Sequence, residues 1–133
     1  MEKPEIMTKP ESVDQDLADV PLEPEEEKIP PLSALEEDIL TVLLGQELYG
    51  LQICQAIEEA SEGRQTLKIG SLYPSLHRLE KKRFVTSRMG NSGIESRGGN
   101  RRKYYKITGL GATALTQKQR VRKRLSTWGP SVA

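Results

Sequence analysis

Gly70-Ser71-Leu72-Tyr73-Pro74-Ser75-Leu76-His77-Arg78-Leu79-Glu80 is the stretch whose reading decides the fold. Leu72, Leu76 and Leu79 fall three and four residues apart, which lines one face of an α-helix. Ser75, His77, Arg78, Lys81 and Lys82 are left on or near the outward face. Ser71 reads as the N-cap, with Gly70 letting the chain turn before it. Pro74 then falls in the first turn, where a missing amide costs little. The spacing predicts a helix that ends near Lys82.

Upstream, Ser33-Ala34-Leu35-Glu36 fits a capping box, in which Ser33 caps the helix and Glu36 reaches back to the Ser33 amide. Leu35, Ile39, Val42 and Leu43 continue at helical spacing, so a first helix is predicted over about 34–44, stopped by Gly45. A second helix opens at Gly50, turns Ile53, Cys54 and Ile57 inward, and ends near Ser61-Glu62-Gly63. Downstream, Phe84–Met89 and Arg102–Thr108 read as strands. The Gly/Asn/Ser-rich stretch between them, Gly90–Arg101, reads as a long hairpin. Thr108 is expected to cap a last helix running to about Leu125, which Trp128-Gly129-Pro130 follows. Ala112, Leu115, Val121 and Leu125 give that helix only a loose apolar stripe.

The order is helix, helix, helix, strand, hairpin loop, strand, helix. It predicts an α+β, mainly α fold, a winged helix-turn-helix with three helices, a two-stranded wing and a C-terminal helix. Residues 1–32 hold six of the eight prolines and the run Glu25-Glu26-Glu27, so a disordered acidic extension is expected there. The folded domain is expected over 33–125, with a short tail at 126–133.

Charge separates along the chain. Residues 1–63 carry 17 Asp/Glu against 3 Lys/Arg, and residues 64–133 carry 17 Lys/Arg against 2 Asp/Glu. A basic half of that density is the footprint of a polyanion binder, although solvated basic faces would look the same. An acidic extension of this charge could also lie over the basic face and compete with a polyanion. The single cysteine, Cys54, rules out a disulfide within the chain and disfavours a cysteine-built zinc site. No run approaches the length of a membrane span, and the N-terminus lacks a signal-peptide pattern, so a soluble cytoplasmic protein is expected. One His, one Cys, no phosphate-binding Gly loop and no nucleophile motif argue against an enzyme, and no cofactor or metal is expected.

A winged helix reads duplex DNA with one helix in the major groove and the wing on the flanking backbone or minor groove. On the reading helix and its approach the candidates are Lys68, Ser71, Tyr73, Pro74, His77 and Arg78. On the wing they are Arg97, Arg101, Arg102 and Lys103, with Gly98 and Gly99 allowing close approach to a sugar-phosphate edge. Tyr73 could instead pack on the second helix. Ile107 is expected to face the core, and strand alternation puts Tyr105 with it. The cluster Arg120, Arg122, Lys123, Arg124 reads as a solvated helix face rather than a second DNA contact. A protein-interaction module and an RNA binder are the competing classes.

Three segments carry a family resemblance: Gly50-Leu51-Gln52-Ile53, the Gly70–Glu80 stretch, and Arg101-Arg102-Lys103-Tyr104-Tyr105-Lys106-Ile107-Thr108. Together they resemble the PadR family of bacterial regulators over about residues 33–125. The resemblance implies a homodimeric winged-helix transcription factor, often a repressor, binding double-stranded DNA in the bacterial cytoplasm and associated with the nucleoid when bound. It also implies that the C-terminal helix joins the dimer against helix 1 of the partner. The acidic extension and short C-terminal part are similar to the cyanobacterial period-extender subgroup, which is linked to circadian timing. The effector pockets of the family are often lined by aromatics near the dimer interface. The one Trp of this chain, Trp128, lies in the tail, which argues against a small-molecule effector.

Overall fold

The computed structural model describes residues 29–90, 96–97 and 100–131, with the backbone alone at 96, 97, 100 and 101. The expected acidic extension lies outside the described residues up to position 28. Four helices and five short strands follow: α1 (Ala34–Val42), β1 (Leu48–Tyr49), α2 (Gly50–Ala60), α3 (Ile69–Lys81), β2 (Val85–Met89), β3 (Ser96–Arg97), β4 (Asn100–Arg101), β5 (Lys103–Ile107) and α4 (Gly109–Thr127). The arrangement is the winged helix expected, with one addition. The sheet has three strands in the order β1-β5-β2, because Leu48 and Tyr49 pair antiparallel with Tyr105 and Tyr104. Two residues are too short for a period-2 pattern to show in sequence, and the segment reads there as loop.

Apolar faces of all four helices close on one core. Ile39, Leu40 and Leu43 from α1 and its C-cap meet Ile53 and Ile57 from α2, Leu72, Leu76 and Leu79 from α3, and Leu115 from α4. Phe84, Val85 and Tyr105 bring the inner face of the sheet onto that cluster. Each fully buried side chain of this size contributes about 1.5–3 kcal/mol. Phe84 enters the core through a sharp exit from α3. Arg83 takes a left-handed φ of 66°, and the Phe84 amide donates back to the Leu79 carbonyl at 2.9 Å.

The caps show where local sequence rules hold and where packing overrides them. Ser33 accepts from the Glu36 amide at 3.1 Å, and Glu36 Oε1 accepts from the Ser33 amide at 2.9 Å, completing the capping box. Thr108 Oγ1 accepts from the Gly111 amide at 2.9 Å at the head of α4, and donates to the Arg83 carbonyl at 2.7 Å. At α3 the expectation fails. The N-cap is Lys68, not Ser71, and the helix has begun by Ile69. Leu67 and Ile69 pack against the core, which draws the first turn in ahead of the serine. Gly70 is therefore helical, and Pro74 sits one turn deeper than expected. Ser75 is buried rather than outward, with its hydroxyl on the Ser71 carbonyl at 3.3 Å.

The packed region also extends upstream of Ser33. Leu32 is buried, and its carbonyl accepts from Lys118 Nζ of α4 at 3.0 Å. Cys54 of α2 is half-buried beside the core, and burial pushes its thiol pKa up. Among the described residues no helix is long and apolar enough to cross a membrane, and no cluster of His, Cys, Asp and Glu could hold a metal ion.

Candidate nucleic-acid interface

The inward stripe of α3 leaves the opposite side to solvent. Lys68, Gly70, Ser71, Tyr73, Pro74, His77, Arg78 and Lys81 are all exposed. Six of these are the candidates named from sequence on the reading helix, so the fold gathers them on one surface. No side chain caps the head of α3, and its first turn carries no acidic residue. Its amides thus keep their positive end open to an anion.

Two of the six are less free than sequence suggested. Tyr73 is 44% exposed, yet its hydroxyl leans over the start of α2, only 2.5 Å from where a Cβ on Gly50 would stand. The packing expected of Tyr73 against the second helix is present, and the rest of its ring faces solvent. Arg78 turns back toward α1. Its guanidinium donates to Ser75 Oγ at 3.0 Å and lies 3.8 Å from the Glu36 carboxylate.

Glu36 is the hub of that contact. It is 2% exposed and accepts from Lys82 Nζ at 3.0 Å. Burial alone would raise its pKa, but the Ser33 amide, Lys82 and Arg78 outweigh burial and hold it below its ordinary value. The charged carboxylate thus ties both ends of α3's basic C-terminal half to α1. Lys82, expected outward, serves this pair and is only a quarter exposed at its side chain.

On the wing, the side chains of Arg97 and Arg101 lie outside the described residues, as do Gly98 and Gly99. The backbone of β3 and β4 forms the hairpin, pairing Ser96 with Arg101 and Arg97 with Asn100. At its base Gly90 donates to the Arg102 carbonyl at 2.6 Å. Arg102 lays its guanidinium over the Tyr49 ring, 4.3 Å from the centroid. Lys103 is exposed, with Nζ 4.0 Å from Glu80 Oε1 and 5.7 Å from the Tyr105 ring centre. Glu80 also accepts from Ser87 Oγ of β2 at 2.7 Å, so one carboxylate of α3 is held by both wing strands. Tyr105 faces the core as expected, and burial, with the charges of Glu80 and Tyr73, pushes its hydroxyl pKa up to about 12.

Sequence reasoning missed Glu47, Tyr49 and Arg88. Arg88 of β2 forks onto the Glu47 carboxylate, with Nη2 at 2.8 Å and Nε at 3.1 Å from Oε1. The same guanidinium stands 4.9 Å over Tyr104, whose ring meets Tyr49 edge-on at 5.5 Å. Register puts Tyr49, Tyr104 and Arg88 in one cross-strand row on the outer face of the sheet. The missed signal is the unrecognised strand β1, without which nothing places Glu47 beside Arg88.

The basic cluster on α4 divides. Arg122 pairs with Glu37 of α1 at 3.0 Å, and Arg120 is buried. Lys123 and Arg124 remain exposed, as a solvated face requires. Below them Val121, Leu125 and Trp128 leave apolar side chains 47%, 70% and 75% exposed.

Known proteins share this arrangement. A family model described as the transcriptional regulator PadR-like family matches residues 39–117. An uncharacterized protein of Lysinibacillus sphaericus is 34% identical over 83 residues, 62% of this chain and 72% of its own length. A PadR family transcription regulator from Clostridium difficile R20291 superposes with a TM-score of 0.59 at 31% identity, over 71% of this chain and 92% of that one. Bacillus subtilis PadR, crystallised in complex with operator DNA, shares the fold with a TM-score of 0.56 at 23% identity, over 76% of this chain and 52% of that one. With the family match running from α1 into α4, this chain belongs to the PadR-like family of transcriptional regulators.

Proposed function

We propose that the chain is a sequence-specific, double-stranded-DNA-binding transcriptional regulator that acts as a homodimer and represses its target. The observation that carries the reading is the exposed, acid-free side of α3 beside an uncapped helix N-terminus. In this reading α3 enters the major groove. Lys68, the α3 amides and Arg78 face phosphate, and Ser71, Tyr73, Pro74 and His77 meet base edges or sugars. The 90–103 wing lies on the flanking backbone or minor groove, bringing Arg97, Arg101, Arg102 and Lys103 to the duplex. Bacillus subtilis PadR, which shares this fold, was crystallised in complex with operator DNA, which supports duplex DNA as the ligand.

Dimerisation through α4 gives Val121, Leu125 and Trp128 an apolar partner surface. A two-fold dimer then sets two reading helices about one duplex turn apart, which calls for a palindromic site. Such a protein works in the cytoplasm on the nucleoid. Membership of the period-extender subgroup and a role in circadian timing belong to this proposal, and the acidic, proline-rich composition of residues 1–32 supports them.

The test is a fluorescence-anisotropy titration with duplexes from the gene's own upstream region, at two salt concentrations and against excess random duplex. Binding that survives the competitor and weakens steeply with salt is expected. A folded dimer that binds no duplex at low salt would exclude the reading.

A further inference from the structure

We infer that Tyr49 is a positioning residue for DNA binding, whose ring fixes the base of the wing against the start of α2 and so sets the spacing between wing and α3. The inference rests on the proposed DNA-binding function and deepens it.

Tyr49 is the last residue of β1 and the N-cap of α2, where its amide donates to Gln52 Oε1 at 3.1 Å. Its ring receives the Arg102 guanidinium at 4.3 Å and the edge of Tyr104 at 5.5 Å, with the two phenol planes 80° apart. Arg88 takes a face of Tyr104 at 4.9 Å and is itself held by Glu47, two residues before Tyr49. The α1–α2 connection is therefore stitched to both wing strands, β2 through Arg88 and β5 through Tyr104, with Arg102 joining just ahead of β5.

The residue after Tyr49 makes the other half of the connection. A Cβ on Gly50 would stand 2.5 Å from the Tyr73 hydroxyl and 3.4 Å from Leu72 Cδ2, so α2 begins against α3 with no room between them. Two consecutive residues thus touch the two devices that must reach one duplex together.

A duplex is stiff on the scale of one turn. A wing and a helix that bind it jointly gain most from each other when their separation is fixed before binding, because less ordering is left to the binding step. Opposite the ladder, Glu80 clamps α3 to Ser87 and Lys103. That clamp holds the C-terminal half of α3. The Tyr49 ladder holds the wing base to the end of α2 that abuts α3.

The experiment compares the full chain with Tyr49→Leu, Tyr49→Phe and Glu47→Gln. Each is titrated with its strongest upstream duplex and with random duplex, at a temperature where circular dichroism shows it folded. Tyr49→Phe keeps the ring and should match the parent. Tyr49→Leu keeps apolar bulk but loses the π face. It should bind the specific site roughly three- to tenfold more weakly while its non-specific affinity barely changes, the cost of ordering freed side chains on binding. Glu47→Gln removes a negative charge, which on electrostatics alone would tighten binding to every duplex. The inference expects the ratio of specific to non-specific affinity to fall instead. A Leu variant with lowered thermal stability but the parent's ratio would make the ladder merely structural and overturn the inference. Equal losses in Leu and Phe would overturn it too, by assigning the effect to the hydroxyl. If Tyr49→Leu does not fold, Glu47→Gln decides, and an unchanged or raised ratio refutes the inference. A parent that fails to discriminate its site from random duplex would instead refute the DNA-binding reading.

Discussion

Gly111→Ala tests how tightly α4 is seated. A Cβ at Gly111 would run into the Phe84 carbonyl oxygen and stand 3.0 Å from Ile107 Cγ1. The carbonyl cannot retreat cheaply. It accepts from the Thr108 amide at 3.0 Å, and the Phe84 amide is bound to Leu79 at 2.9 Å, with the Phe84 ring fully buried. Overpacking of this kind costs about 1–3 kcal/mol and sometimes more. Against it, Ala gains roughly 1 kcal/mol over Gly in a helix interior. The steric cost should win, leaving a net loss of up to about 2 kcal/mol. Gly109→Ala is the control, since nothing stands within 4 Å of its added methyl and it should be neutral or slightly stabilising. Urea unfolding at fixed protomer concentration measures both, with stability read from the midpoint at an unchanged slope. In a thermal melt, each kcal/mol moves the midpoint by about 4–8 °C for a domain of this size. If Gly111→Ala is as stable as Gly109→Ala, the close approach of α4 to Phe84 is not a constraint and the argument fails.

Glu36→Gln should change the pH dependence of stability. The folded-state pKa of Glu36 is lowered, so its contribution is present above the ordinary carboxylate value and is lost as pH falls through the lowered one. The parent should exceed the variant most near neutrality, and the gap should close as pH falls through the lowered folded-state value. A gap constant with pH would contradict the paired carboxylate. Leu76→Ala should cost about 2–5 kcal/mol in the same unfolding assay, because the side chain is 1% exposed among Leu72, Leu79 and Ile53. A loss under about 1 kcal/mol would mean the core collapses around the missing atoms. Removing residues 1–28 should tighten non-specific duplex binding at low salt, through loss of acidic charge that competes for the basic half. Unchanged affinity would remove the extension from DNA binding.

What the sequence determined is what rests on neighbours a turn or a strand apart. The leucine stripe of α3 orients that helix by its own period, and its exposed side follows by exclusion. The Ser33–Glu36 box and the Thr108 cap form within three residues, so both were legible. Alternation along β5 turned Tyr105 inward, as a pleat must. Ser75 is the exception on that helix: the sequence reading puts it outward, yet it sits three residues from Leu72 and is buried.

Only the tertiary structure decided the rest, because the partners lie far apart in the chain. Lys82 reaches Glu36 across 46 residues, and Arg88 reaches Glu47 across 41. No local propensity encodes such a pair, since it exists only once α1, α3 and the wing have packed. The same packing moved the head of α3 from Ser71 to Lys68, because burying Leu67 and Ile69 outweighs a serine cap worth about 1 kcal/mol. It also turned Arg78 from an outlying cation into one shared with a buried carboxylate. The sequence named the surface that faces DNA in this reading, and long-range packing set which of its charges are committed to the fold.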